Sequence, residues 1–160
     1  MIIDNKKATI NYHLLRFLFL FLLAVIIIVL YSFSYFEEPI FGIDRNYYVL
    51  ALVFLYLLYY LIGIVRNYQY IFFTDNGSKL VIRYYSLRPM SKRQNAVEIG
   101  KTMFANYKLT HQLMGFRKYL VLYQRLPNGS VVKYPPINVS IMKKEDLNQL
   151  TKALQSYRNI

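Results

Sequence analysis

Residues 69–85, QYIFFTDNGSKLVIRYY, place two β-type segments on either side of an Asn-Gly turn. In the second segment Leu80, Ile82 and Tyr84 fall on one face of a strand, and Arg83 falls on the other. An Asn-Gly pair between alternating apolar segments is the strongest short-range signal for a β-hairpin. The stretch therefore predicts two antiparallel strands with one buried face.

The chain beyond this hairpin continues as β structure. Residues 118–136, KYLVLYQRLPNGSVVKYPP, predict a second hairpin around another Asn-Gly pair. The segments NAVEIG (95–100) and MFANYKLT (103–110) predict two strands between the hairpins. Pro135 and Pro136 lack backbone donors, so the strand before them must end there or lie at an edge. We expect five to seven short antiparallel strands.

The last segment changes to helical spacing. In KKEDLNQLTKALQSYRNI (143–160), one apolar stripe is formed by Leu147, Leu150, Leu154 and Tyr157. Glu145 and Asp146 fall in the first turn, where carboxylates complement the helix dipole. We expect one amphipathic helix that covers an open end or face of the preceding sheet.

Two long apolar segments precede the β region. They cover residues of about 14–33 and 47–65, each near the roughly 20 residues that a helix needs to cross a bilayer. The first is too long for the core of a signal peptide, and no small-x-small cleavage pattern follows it. The sequence predicts a two-helix transmembrane hairpin at residues 1–66 and a separate domain at residues 67–160.

The flanking charges predict the orientation of the hairpin. Lys6 and Lys7 precede the first segment, and Arg66 follows the second, whereas the connector carries Glu37, Glu38 and Asp44. Positive flanks remain in the cytoplasm. We therefore expect both termini and the C-terminal domain to be cytoplasmic.

The whole chain resembles bacterial membrane proteins with two N-terminal spans and a small pleckstrin-homology-like (PH-like) domain. The resemblance lies in the order of YIFFTDNGSKLVIRYYSLRP (70–89), FRKYLVLYQRLPNGSVVKYPPINVS (116–140) and KKEDLNQLTKAL (143–154). It implies an α+β membrane protein of the bacterial cytoplasmic (inner) membrane. It also implies an antiparallel β-sandwich or barrel closed by a C-terminal helix.

The sequence offers little material for catalysis. There is no cysteine, and residues 66–160 hold only four carboxylates, none in an obvious acid–base pair. His13 and His111 are too few to predict a metal site, and no glycine-rich phosphate loop occurs. We expect no enzymatic activity, no catalytic residue, no metal and no cofactor.

Charge is the remaining signal. Residues 66–160 hold 16 Lys and Arg against four acidic residues, a net charge of +12. A basic domain beside a cytoplasmic leaflet is attracted to anionic headgroups. The predicted lipid- or partner-binding residues are Lys79, Arg83, Arg88, Lys92, Arg93, Arg117 and Lys118. The competing interpretation is that these are ordinary solvated loop charges.

Three functions fit this pattern. The first is a membrane-anchored basic module that docks a protein partner or the anionic leaflet. The second is an accessory subunit of a larger membrane complex, and the third is an effector that senses a nucleotide. Nucleic acid is not an expected partner, because most aromatic side chains alternate inward on the strands or lie in the apolar segments.

Overall fold

A computed structural model describes residues 1–36, 38–39, 42–88, 91, 93–112 and 115–158, with Tyr35 described for its backbone alone. The chain divides into two compact units. One is formed by residues 10–65, and the other by residues 1–9 together with residues 66–160.

The first unit is helical. Helix α1 covers Lys6–Ser32, helix α2 covers Arg45–Arg66, and a short 3-10 helix lies at Ser34–Phe36. Both long helices have the length and apolar composition needed to cross a membrane, and the apolar windows contain no buried residue. Helix α1 begins eight residues before the segment predicted at 14–33 and ends one residue short of it, and α2 extends the segment predicted at 47–65 by two residues at its start and one at its end.

Polar side chains connect the two helices near both ends of this unit. The Arg16 guanidinium lies 4.6 Å from the centroid of the Tyr60 ring. At the other end, the Tyr31 hydroxyl donates a 2.7 Å hydrogen bond to the Asn46 side chain. Such contacts fix the pairing of two helices that apolar packing in lipid would leave weakly specified.

The second unit contains two antiparallel sheets. The first has the order β1-β2-β3-β4, and in the second β6 pairs with β5 on one side and with β7 and β8 on the other. The strands are β1 (Ile2–Asp4), β2 (Gln69–Thr74), β3 (Lys79–Ser86), β4 (Gln94–Gly100), β5 (Phe104–Gln112), β6 (Arg117–Arg125), β7 (Val131–Lys133) and β8 (Ile137–Asn138). Both predicted hairpins are confirmed as β2–β3 and β6–β7.

The core lies between the inner faces of the sheets and helix α3 (Lys144–Arg158). Leu80, Ile82 and Tyr84 are buried there, as the alternation of β3 predicted. The predicted helical stripe is also confirmed, since Leu150 and Leu154 are fully buried. This α+β arrangement matches the predicted class.

The two sheets do not close into a barrel, so that part of the expectation is wrong. The long edge strands β4 and β5 follow each other in the chain but belong to different sheets, and at the other edge of the second sheet β7 has only three residues and β8 only two. Pro135 and Pro136, which have no backbone donor, lie between these two strands. The result is two open sheets with α3 packed against β5 and β1.

The described residues form eight strands rather than the five to seven expected, and β1 departs furthest from the prediction. Its residues pair with the outer edge of β2, with Ile3 opposite Phe73, and Ile3 is only 4% exposed. The Asn5 side chain accepts a 2.8 Å hydrogen bond from the Ile71 amide and donates a 2.9 Å bond to the Gln69 carbonyl. Residues 1–9 thus belong with the β unit, which differs from the predicted division at residue 66.

Candidate functional site

The end of helix α2 is joined to the second sheet by a buried asparagine. The Asn138 side-chain amide donates hydrogen bonds to the carbonyl oxygens of Arg66 (2.8 Å) and Asn67 (2.9 Å). Asn67 has a φ of 47°, the left-handed conformation in which a helix typically stops and in which asparagine is tolerated. Asn138 therefore satisfies carbonyls that the helix end would leave without a partner.

Further hydrogen bonds collect around this point. The Gln69 side-chain oxygen accepts a 2.7 Å hydrogen bond from the backbone amide of Asn138. The Ser86 hydroxyl donates a 3.0 Å hydrogen bond to the Asn67 side-chain oxygen. The Leu87 amide donates to the Tyr68 carbonyl (2.9 Å). We call this region, which includes residues 66–69, 86–88 and 116–118, the junction end of the β unit, because here the chain leaves α2 and enters the sheets.

Two of the predicted basic residues lie on one loop at the junction end. Arg88 follows Ser86, whose hydroxyl accepts a 3.2 Å hydrogen bond from the Arg88 amide. Arg93 immediately precedes β4, where Gln94 pairs with Tyr85 near the same end of the sheet. Both side chains are exposed. Lys92 lies outside the described residues.

The second pair of predicted basic residues reaches the junction end from the other sheet. Arg117 and Lys118 begin β6, and the Lys118 amide donates a 2.8 Å hydrogen bond to the Ser140 hydroxyl. Phe116 precedes them in the turn and is 60% exposed. The Arg66 guanidinium lies 5.4 Å from the centroid of the Phe116 ring, within the range of a cation–π contact.

Lys79 is not part of this group. It begins β3 at the opposite end, and at about 3.3 Å per residue it lies about 23 Å along the strand from Ser86. Its ammonium group lies 3.4 Å from a carboxylate oxygen of Glu98. The predicted set of seven therefore does not form one patch.

Arg83 occupies a third environment, on the outer face of the first sheet. There it lines an open depression of about 510 Å³ together with Tyr70 and Tyr85, whose rings stack with centroids 4.9 Å apart. Burial, helped by the nearby Asp4 carboxylate and Tyr85, raises the pKa of the Tyr70 phenol. The Tyr70 phenol therefore stays protonated at physiological pH, and Arg83 is the adjacent cation.

Arg66 and Phe116 are the residues that sequence reasoning missed. Arg66 was used only to orient the helix, and Phe116 had no assigned role. The available signal was the sequence FRK at 116–118, one aromatic residue directly before two cations beside a predicted strand. Aromatic rings next to basic residues are typical of protein surfaces at the membrane interface.

The structure gives no positive sign of a metal centre. Among the residues that it describes, no three His, Cys, Asp or Glu side chains lie close enough to hold a metal ion. Comparisons with protein-family models, with curated proteins and with solved structures found no match.

Proposed function

We propose that this protein is a two-span protein of the bacterial cytoplasmic membrane and that its basic β unit docks onto the anionic inner leaflet through the junction end. Both termini would be cytoplasmic, and the role would be binding rather than catalysis. The docking residues would be Arg66, Arg88, Arg93, Arg117 and Lys118, with Phe116 entering the interface between headgroups and acyl chains.

The contact between Arg66 and Phe116 carries this proposal. Arg66 is the last residue of α2, so it marks the depth at which the apolar helix ends. A span that ends at an arginine places that arginine among the headgroups, because its charge avoids the hydrocarbon. The turn that carries Phe116 contacts Arg66 and would therefore lie in the same headgroup layer. The Phe116 ring would point toward the acyl chains and Lys118 toward the phosphates.

The size and range of the electrostatic attraction favour a membrane contact that is confined to the junction end. A basic residue near an anionic surface contributes about 1 kcal/mol, so these five cations supply at most about 5 kcal/mol. The attraction decays over a Debye length of about 8–10 Å at physiological ionic strength. Lys79, about 23 Å along its strand from the junction end, would add almost nothing.

Spin-label depth measurements on the full-length protein in nanodiscs test the proposal. The chain contains no cysteine, so Ser91→Cys in the basic loop and Thr102→Cys in the 3-10 helix at Lys101–Met103 each supply a unique labelling site. Both positions are exposed. We expect the label at residue 91 to become shielded from polar relaxants when anionic lipid replaces zwitterionic lipid, while the label at residue 102 stays in water.

Charge removal provides the matched comparison. Arg88→Gln, Arg93→Gln, Arg117→Gln and Lys118→Gln combined should return residue 91 to water, whereas Lys79→Gln should change nothing. Equal water exposure of residue 91 in both lipids would overturn the proposal. A retained shift in the fourfold variant would mean that these side chains do not hold the leaflet.

A further inference from the structure

The outer face of the second sheet carries a cavity that runs from the middle of the sheet to Gln112, which pairs with Arg117 at the junction end. It has a volume of about 440 Å³, and its lining includes Lys108, Thr110, Tyr119, Val121, Tyr123 and Lys133. This volume lies within the range of small-molecule sites. Since Leu120 and Leu122 belong to the core, the residues that alternate with them face this cavity.

The floor of this cavity is dry and its rim is cationic. Val121 is only 5% exposed although it lies on the face opposite the core. The rings of Tyr119 and Tyr123 are half-buried beside it, while Lys108 and Lys133 are exposed. Two ammonium groups over an apolar, aromatic floor match a ligand that has an anionic group on an apolar or planar body.

The two lysines are placed to share one anion. Lys108 on β5 is opposite Val121, and Lys133 on β7 is opposite Tyr123, so the lysines flank the central strand β6. Two strand spacings (about 10 Å) and an offset of two residues along the strands (about 7 Å) separate their backbones by about 12 Å, and their flexible four-carbon side chains can converge across that gap. Phosphate, with several acceptor oxygens and up to two charges, can satisfy both ammonium groups together.

The described cavity lining and strands β5, β6 and β7 contain no acidic residue. None of the described residues that line the cavity carries a carboxylate. The sequence has no Asp or Glu between Glu98 and Glu145, a segment that contains all of β5, β6 and β7 and eight Lys or Arg residues. An anion in this cavity would therefore meet attraction without a competing carboxylate.

We propose that this cavity binds the phosphate group of a soluble phosphate ester, with Lys108 and Lys133 on the phosphate and the Tyr119 and Tyr123 rings against the body of the ligand. Along the strands, Lys108 lies about 13 Å from Gln112, and the partner of Lys133, Tyr123, lies about 20 Å from Arg117. Both separations exceed the Debye length of about 8–10 Å. The phosphate is therefore assigned to a soluble ester rather than to a lipid headgroup.

Lysine footprinting of the full-length protein tests this site. The protein is placed in zwitterionic nanodiscs and treated with an amine-reactive reagent, with inorganic phosphate as the probe and with chloride at the same ionic strength as the reference. Mass spectrometry follows each lysine, and exposed Lys152 on α3 is the internal control. At phosphate ten times its dissociation constant, labelling of Lys108 and Lys133 should slow about tenfold, as the unoccupied fraction requires.

Three further results decide the outcome. Lys108→Gln should remove the protection of Lys133, whereas the matched charge loss Lys143→Gln should leave it intact. Equal labelling in phosphate and chloride would overturn the proposal. Protection by phosphatidic acid in the nanodisc, without protection by free phosphate, would contradict the soluble source and assign the cavity to a lipid.

Discussion

The Asn138 side-chain amide donates a 2.8 Å hydrogen bond to the carbonyl oxygen of Arg66, the last residue of helix α2. A residue on the two-residue strand β8 thus satisfies the carbonyl at which the helix ends. The bond holds Arg66, which belongs to the β unit, in its position beside Phe116. The geometry of the proposed docking surface depends on this contact.

Replacing Asn138 should therefore destabilise the β unit. Asn138→Ala leaves the Arg66 and Asn67 carbonyls without these donors in a buried setting, and an unsatisfied buried polar group costs about 1–3 kcal/mol. Chemical unfolding of the full-length protein in detergent measures the loss. Asn148→Ala, on the exposed side of α3, is the control and should change the free energy of unfolding by less than about 0.5 kcal/mol. An equal loss of unfolding free energy in the two variants would show that Asn138 does not cap the helix.

The N-terminal strand supplies a test with a neighbouring control. Ile3 is 4% exposed in the core and Ile2 is 61% exposed. Deleting the buried side chain creates a cavity, so Ile3→Ala should lower the free energy of unfolding by about 2–5 kcal/mol. We expect a value near the lower limit because the strand has only three residues. Ile2→Ala should cost less than about 0.5 kcal/mol. Similar unfolding midpoints for both variants would show that β1 does not pack as described.

Asp75 makes part of the stability depend on pH. Burial alone would raise the pKa of this carboxyl group, but hydrogen bonds from the Met1 amino group and the Tyr157 hydroxyl (2.9 Å) hold its pKa below the ordinary value. A lowered folded-state pKa means that this stabilisation is complete above the unfolded value of about 3.9 and is lost as the pH falls below it.

The pH dependence can be isolated with two substitutions. Asp75→Asn should be less stable than the wild type at neutral pH, and the difference should shrink as the pH falls through about 4 toward 3. Tyr157→Phe should reduce the same pH dependence, because it removes one of the donors. Unfolding free energies measured across this range decide the matter. A difference between wild type and Asp75→Asn that does not change with pH would contradict the assignment.

In the helical hairpin, Gly63 on α2 lies close to Tyr12 on α1. A Cβ added to Gly63 would lie 2.7 Å from the Tyr12 hydroxyl oxygen. Gly63→Ala should therefore lower the thermal midpoint in detergent, at a cost of about 1–3 kcal/mol for overpacking. Adding Tyr12→Phe should restore part of the loss by removing the hydroxyl. An additive loss in the double variant would show that the two residues do not meet.

Sequence reasoning recovered the local elements because their signals are local. The Asn-Gly pair at 76–77, the alternation of Leu80, Ile82 and Tyr84, and the stripe that includes Leu150 each determine an element within a few residues. Strand β1 was missed because three residues show no periodicity, and their strand character comes only from the edge of β2, more than sixty positions away. The pattern of a few neighbouring residues does not reveal a pairing partner that lies so far away in the sequence.

The candidate site was only partly predictable for a related reason. The sequence identified basic residues, but their grouping depends on strand direction, which separates Lys79 from Arg88 although they are only nine positions apart. Conversely, Arg66 and Phe116 are fifty positions apart and in contact. Lys108 and Lys133 line the same cavity only because β5 and β7 flank β6.

The most direct test of leaflet docking uses tryptophan fluorescence at the turn beside Arg66. The chain contains no tryptophan, so Phe116→Trp gives a single reporter, and Val131→Trp, 54% exposed at the start of β7, gives a control away from the junction end. In nanodiscs with anionic lipid, tryptophan at 116 should emit at shorter wavelength and be quenched by brominated acyl chains, while tryptophan at 131 should behave as in water. Water-like emission from both positions would contradict the account.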